Sequence, residues 1–339
     1  MTPLIRLVRR NARDPRALAL AVALFLLLAA VVVPRLPVTR DGVRVLVVVD
    51  ITGSMNTRDY IQGGAPVSRL AIAKGALRDL LGRLPCPSHL GLALFSERVP
   101  FLLFEPVEVC RDYGAVAGAV DAVDWREGWE GDSHIAEGIF GAIDMAQGLD
   151  SDLVFITDGQ ETPPLSLSGG PAFEGRPGAV RGLIVGAGGY GLAPIPKFDD
   201  RGNEIGFWGV NDVQHENHFG PPPPDAESRP GYQARNAPFG SEIPTGTEHL
   251  SSVREPYLRA LAGQTGLAYA HLDAGRDSGR HLARALLAAA TPRPARGMAD
   301  VRWVPGTLAL AAVLAAYGLF PAWRPGGLIR FVKAAGRWS

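Results

Sequence analysis

The chain has 339 residues, 47% hydrophobic and 20% charged, with 34 basic and 34 acidic side chains; one large α/β domain fits with segments to spare. Residues 1–16 carry Arg6, Arg9, Arg10, Arg13 and Arg16 against Asp14, and residues 324–339 carry Arg324, Arg330, Lys333 and Arg337 with no acid. Each end is therefore +4 and the 307 residues between them −8, which excludes the basic face that a nucleic-acid-binding domain needs.

Residues 17–33 are uncharged and rich in Leu, Ala and Val. As a helix they span about 25 Å, near the lower limit for a bilayer core, and they are predicted to be a first transmembrane helix behind a basic cytoplasmic tail, 1–16. A cleaved signal peptide is the rival reading, but no small-x-small cleavage site follows. Residues 303–323 form a second uncharged run, with Trp303 and Trp323 at its ends, as suits the two interfaces of a membrane. They are predicted to be a second transmembrane helix, and 324–339 a second cytoplasmic tail. A helix packed on the domain is the alternative. With both spans real, the positive-inside rule puts the acidic middle outside the inner membrane, in the periplasm.

Between the spans, residues 43–49 are a β-branched run that ends at Asp50, as expected of a strand buried on both faces. Residues 68–83 place apolar side chains at helical spacing. Residues 90–95 and 101–104 read as strands of a tight hairpin. Helices are predicted over 113–123 and 135–149, and strands over 153–157 and 183–185. Periodicity disappears from 194 to 247, an insertion that contains four consecutive prolines, 221–224. It returns as a helix near 253–263, a strand near 268–272 and a helix near 279–290. The fold class is α/β: a doubly wound, mostly parallel sheet with one antiparallel edge hairpin over 41–290.

The two cysteines, Cys86 and Cys110, each lie 12 residues from Arg98 in the hairpin turn. Equal distances from a turn put residues opposite each other, so a disulfide is predicted; two unrelated buried thiols are the alternative. An oxidising compartment agrees with the periplasmic placement.

The chemistry concentrates at strand ends. Asp50, Thr52 and Ser54 turn into one loop, where open α/β sheets bind ligands. Ser133 adds a hydroxyl at a helix start, and Asp158 a second carboxylate after a strand. All are hard oxygen donors, suited to one Mg²⁺ or Ca²⁺. The three segments, Asp50-Ile51-Thr52-Gly53-Ser54, the stretch around Ser133 and Ile156-Thr157-Asp158-Gly159, resemble the von Willebrand factor A family and its metal-ion-dependent adhesion site. The resemblance implies that Asp50, Thr52, Ser54, Ser133 and Asp158 hold one divalent cation, and that a protein partner completes its shell with a carboxylate. Thr52 stands where the family has serine and Ser133 where it has threonine; both keep the hydroxyl.

The layout of anchor, domain and anchor is similar to bacterial membrane proteins of this family, and in detail to MxaL-like accessory proteins of methanol-oxidation gene clusters. That resemblance implies an assembly or maturation factor for a periplasmic enzyme such as quinoprotein methanol dehydrogenase, in particular its calcium insertion. The alternative is an aerotolerance or envelope-stress component that works with a MoxR-type ATPase. A metal-dependent hydrolase is a third reading, disfavoured because no general base or nucleophile stands beside the metal residues.

Other motifs carry less. Gly186, Gly188 and Gly191 satisfy G-x-G-x-x-G, but Pro194 and Pro196 follow where a helix should open. No P-loop motif is present. His215 and His218 sit in the insertion and read as a solvated loop, and His134 and Asp132 beside Ser133 read equally well as first-turn surface residues.

Overall fold

The computed structural model describes residues 15–33, 36–128, 132–165, 169–214, 222, 224–234, 238–240, 246–275 and 277–318. In chain order the first elements are α1 (Pro15–Val32), β1 (Leu36–Gly42), β2 (Arg44–Asp50), β3 (Tyr60–Gln62), β4 (Ala65–Val67) and α2 (Arg69–Leu81). Next come β5 (His89–Ser96), β6 (Val99–Glu108), α3 (Tyr113–Ala122), α4 (Ile135–Gly148), β7 (Asp152–Thr157) and β8 (Gly182–Gly186). The insertion follows with β9 (Ala193–Pro194), β10 (Pro196–Phe198) and β11 (Glu204–Phe207). Then come β12 (Leu250–Ser251), α5 (Glu255–Thr265), β13 (Ala268–His271), α6 (Ser278–Ala289), β14 (Arg293–Ala299) and α7 (Trp303–Gly318). Two units result: Arg40–Ala295 is one, and Met1–Thr39 with Arg296–Ser339 the other.

The larger unit is built on a six-stranded sheet in the order β13-β8-β7-β2-β5-β6. Every neighbouring pair is parallel except β5 with β6, the expected edge hairpin. Side chains alternate across a strand, and the two faces of β2 feed two cores. Val45, Val47 and Val49 pack with Leu70, Leu77 and Leu80 of α2, Val116 and Val120 of α3, and Leu282 and Leu286 of α6. Leu46 and Val48 pack with Ile135, Ile139 and Ile143 of α4 and Leu258 and Leu261 of α5. The run is apolar throughout because both faces are covered, and full burial of each such side chain stabilises by about 1.5–3 kcal/mol. Ser68 caps α2, its side chain accepting from Ala71 N at 3.3 Å.

The hairpin turns at Glu97, whose φ of 63° is left-handed, and brings Cys86 and Cys110 together as a disulfide with Cα atoms 6.0 Å apart. Two register shifts in β5–β6 offset the strands, so the cysteines meet just beyond the paired residues.

The described residues of 194–247 are less irregular than their composition predicts. β10 and β11 form a small antiparallel hairpin, and β9 pairs with β12. The hairpin is fastened to the domain by Phe198 stacked on Trp125 at 4.4 Å and by the Arg58–Glu204 ion pair. His215 and His218 lie outside the described residues.

In the smaller unit, β1 pairs with β14 and α1 packs on α7, with Ala23, Ala309 and Ala316 buried and the large apolar side chains of both helices facing outward. Phe25 is 69% exposed and Val32 80%. The helix predicted over 17–33 is present as α1. Of the span predicted over 303–323, α7 covers 303–318, and 319–323 lie outside the described residues, as do 1–14 and 324–339 of the basic tails. Among the described residues no helix is long and apolar enough to cross a membrane. The 18 residues of α1, which include Arg16 in the first turn, reach about 27 Å, and the 16 of α7 about 24 Å.

Candidate metal-binding site

After β2 the chain runs to β5 on one side, then returns to β7 on the other. The strand order reverses at β2, and the crevice between the ends of β2 and β7 is where such sheets bind ligands. Asp50 is the last residue of β2 and Asp158 follows β7. Both are fully buried.

The first loop is organised around Asp50. Its Oδ1 accepts from Thr52 N at 2.9 Å and Thr52 Oγ1 at 2.7 Å, and its Oδ2 accepts from Thr157 Oγ1 at 2.6 Å. Ser54 Oγ lies 3.5 Å from Thr52 Oγ1, on the 3₁₀ turn Gly53–Asn56. Since Thr52 gives its proton to Asp50, its oxygen lone pairs stay free for a cation.

Ser133 is fixed by its backbone, which exchanges hydrogen bonds with Thr162, while His134 N donates to Glu97 O at 2.7 Å. The Glu161 carboxylate accepts from Ile135 N and Ala136 N, each at 3.0 Å, and caps α4. Ser133 Oγ itself is buried and has no hydrogen-bond partner. A buried hydroxyl without a partner costs about 1–3 kcal/mol and implies that something else satisfies it. Thr52, Ser54 and Ser133 line one cavity of about 300 Å³, together with Ile195, Trp208 and Val213 from the insertion.

Asp158 uses both oxygens. Oδ1 accepts from Gln160 N at 3.0 Å; Oδ2 accepts from Ser251 Oγ at 3.2 Å and Arg69 Nη1 at 2.5 Å. Burial, and then the neighbouring charge of Asp158, push the Asp50 carboxyl up from 3.8 to about 7, against the pull of its hydrogen bonds from Thr157 and Thr52. Burial works against the charge on Arg69, but Asp158 and Asp59 outweigh it and raise its pKa.

All five predicted site residues therefore converge on one crevice: three hydroxyls face a cavity and two carboxylates stand behind them. Among the described residues no group of three His, Cys, Asp or Glu is placed to hold a metal; the donors of this crevice are hydroxyl and carboxylate oxygens, a class that suits Mg²⁺ or Ca²⁺ better than zinc or copper. His134 is largely buried behind the second loop, 3.9 Å from the exposed Asp132, which itself lines the cavity.

Sequence reasoning missed Thr157, Glu161, Ser251, Trp208 and Arg69. Arg69 left one signal, a cation in the first turn of a helix, where the helix dipole disfavours it. Thr157 reads only as a strand residue, Trp208 lies inside the aperiodic stretch and Ser251 just beyond its end.

The fold and the site define an α/β domain with an oxygen-donor crevice at its topological switch point. Residues 45–160, which hold all five predicted site residues, match the family model of the von Willebrand factor type A domain. No curated protein matches the chain. Among solved structures, an aerotolerance-related membrane protein from Bacteroides fragilis is 18% identical, over 72% of this chain and 98% of its own, with a TM-score of 0.44. The conserved hypothetical protein BatB from Bacteroides thetaiotaomicron is 17% identical over 72% and 96%, with a TM-score of 0.45. An uncharacterized membrane spanning protein from Vibrio fischeri is 18% identical over 71% and 96%, with a TM-score of 0.26. At these scores none of the three bears on the site.

Proposed function

We propose that this chain is a metal-dependent binding module, in which Thr52, Ser54 and Ser133 hold one Mg²⁺ or Ca²⁺ backed by Asp50 and Asp158, and a partner protein supplies a further carboxylate. The observation that carries the reading is the buried, unpartnered Ser133 Oγ in the same cavity as the hydroxyls of Thr52 and Ser54. The ion would supply positive charge for gripping an acidic group. The role we assign to it is binding rather than hydrolysis.

The outward apolar faces of α1 and α7, the basic residues beyond them and the disulfide support anchoring in the inner membrane with the main domain in the periplasm. Of the two biological roles, we favour an aerotolerance or envelope-stress component, working with a MoxR-type ATPase, over maturation of a methanol dehydrogenase. Two similar solved structures, described as an aerotolerance-related membrane protein and as BatB, are what inclines us to that role; the metal-binding reading rests on the site alone.

The test is calorimetric titration of the full-length chain with Mg²⁺ and Ca²⁺, for wild type and Asp50→Asn. Wild type should bind one ion and Asp50→Asn none, with native circular dichroism in both; equal binding by the two sinks the reading. Partner capture from membranes should then be lost in EDTA.

A further inference from the structure

Arg69 is the charge that the fold has least need of. It opens α2, where a cation opposes the helix dipole, and its side chain is 0% exposed. Its hydrogen bonds divide between two sides. Nη1 donates to Asp158 Oδ2 at 2.5 Å and Ser251 Oγ at 2.6 Å, and reaches the Ser54 carbonyl at 3.5 Å. Nε and Nη2 donate to Asp59 Oδ2 at 3.0 and 2.6 Å.

The surroundings hold it there. Gly188 packs so closely that a Cβ would lie 2.6 Å from Nε, and its φ of +125° suits glycine. Asp59 is tied in turn by Gly189 N at 2.7 Å. Burial of a guanidinium costs several kcal/mol unless it is paired and fully hydrogen-bonded; here it is paired twice. The result is a fixed positive charge on Asp158 Oδ2, which also accepts from Ser251 Oγ.

We infer that Arg69 is a built-in counter-cation of the metal crevice: by occupying Asp158 Oδ2 it keeps the crevice from holding a divalent ion tightly on its own, so that stable occupancy depends on the carboxylate of a partner. The inference rests on the metal-binding reading above. Asp50 and Asp158 bring two negative charges to the crevice, and Arg69, shared between Asp158 and Asp59, offsets part of the charge on Asp158. A bound divalent cation therefore leaves an excess positive charge there, which an incoming carboxylate neutralises. Metal and partner would thus bind cooperatively through ordinary charge balance, with no change of fold. Arg69 touches no partner and no ion itself; it acts through Asp158 as a positioning residue.

The test compares Mg²⁺ titration of the full-length wild type with the double variant R69Q/D59N and with R69K. The double variant leaves the net charge of the chain unchanged, so any gain comes from release of Asp158 and not from a more acidic protein. It should bind Mg²⁺ about tenfold tighter than wild type. R69K keeps the charge and should bind within about twofold of wild type. A purely structural role would weaken binding in both variants, which makes the sign of the change decisive. A folded double variant that binds no tighter overturns the inference. So does a folded R69K that loses more than about tenfold, a result that stands whether or not the double variant folds. Absence of Mg²⁺ binding from all three proteins would instead remove the metal reading itself, and this inference with it.

Discussion

Ser133 and Thr162 hold each other as a two-bond bridge, Ser133 N to Thr162 O at 2.7 Å and Thr162 N to Ser133 O at 2.8 Å. The second and third loops of the crevice are thereby one piece, and Glu161 doubles the stitch. Its carboxylate takes two backbone donors from the start of α4 and the hydroxyl of Tyr257 at 2.5 Å. Loss of this hub strands helix N–H groups away from water. Glu161→Ala should destabilise the domain by about 2 kcal/mol and weaken Mg²⁺ binding, with Glu161→Gln intermediate. An unchanged urea midpoint for Glu161→Ala would remove the hub from the argument.

Ser133→Ala separates stability from function. The hydroxyl has no hydrogen-bond partner, and removal of an unsatisfied buried group is neutral or stabilising. In EDTA the variant should melt at or above the wild-type temperature, yet its Mg²⁺ affinity should fall at least tenfold. A variant that loses stability but keeps its affinity would mean that Ser133 is a structural residue and not a ligand.

The metal-free protein should also show a pH signature. Asp50 is raised from 3.8 to about 7, first by burial and then by Asp158. Between those values the unfolded chain has released the proton and the folded chain has kept it, so stability falls as pH rises through the window and levels off above it. Melting temperatures in EDTA at pH 5 and pH 7.5 should therefore drop further for wild type than for Asp50→Asn, which cannot ionise. Added Mg²⁺ should close the gap at the higher pH, because the ion needs the carboxylate ionised. Parallel pH profiles for the two proteins would contradict this.

What the sequence made legible follows from which side chains are forced by physics. β2 and β7 stood out because strands buried on both faces become continuous apolar runs, and the acids that end them had to be deliberate, since each follows an uninterrupted uncharged stretch, 45–49 and 153–157. The edge hairpin was legible from its turn, and the meeting of Cys86 with Cys110 from their spacing about it. Arg69 was hidden because an arginine on an amphipathic helix normally faces water; only the fold brings Asp59, Asp158 and Ser251 around it from three other segments. The β10–β11 hairpin was hidden for a different reason. Its strands have three and four residues with a register shift at Lys197/Phe198, too short for a period of two to emerge. Trp208 next to it is the cost of that miss, because it puts the insertion in the wall of the cavity.

The disulfide should contribute through the unfolded state. Cys86 and Cys110 are 24 residues apart in sequence, and closing a loop of that length is worth about 3 kcal/mol in the chain-entropy model. Reduction of the full-length chain, or the paired Cys86→Ser and Cys110→Ser change, should lower the urea midpoint accordingly while leaving Mg²⁺ binding within about twofold, since neither cysteine lines the crevice. Two labelled thiols in the unreduced protein would count against both the bridge and the oxidising compartment.

Gly138 tests the packing behind the second loop, and the sign of its effect runs against helix propensity. It lies inside α4, where glycine to alanine ordinarily stabilises by up to about 1 kcal/mol. Here an added Cβ would sit 2.1 Å from Phe95 Cε2 and 2.8 Å from Cζ. Phe95 is fully buried and packs on Phe155 at a ring distance of 5.4 Å, so the ring has no free space to turn into. α4 would have to move outward, carrying Ser133 and Ile135 at its start with it. Overpacking of this kind costs about 1–3 kcal/mol, so Gly138→Ala should be destabilised by about 1–2 kcal/mol after the propensity gain is set against it. Its Mg²⁺ affinity should fall with the displacement of Ser133, whereas Gly148→Ala, at the last residue of the same helix with nothing within 4 Å of an added Cβ, should leave affinity untouched. A Gly138→Ala protein that is more stable than wild type would show that α4 is not pressed against Phe95 and that the second loop is not set by that contact.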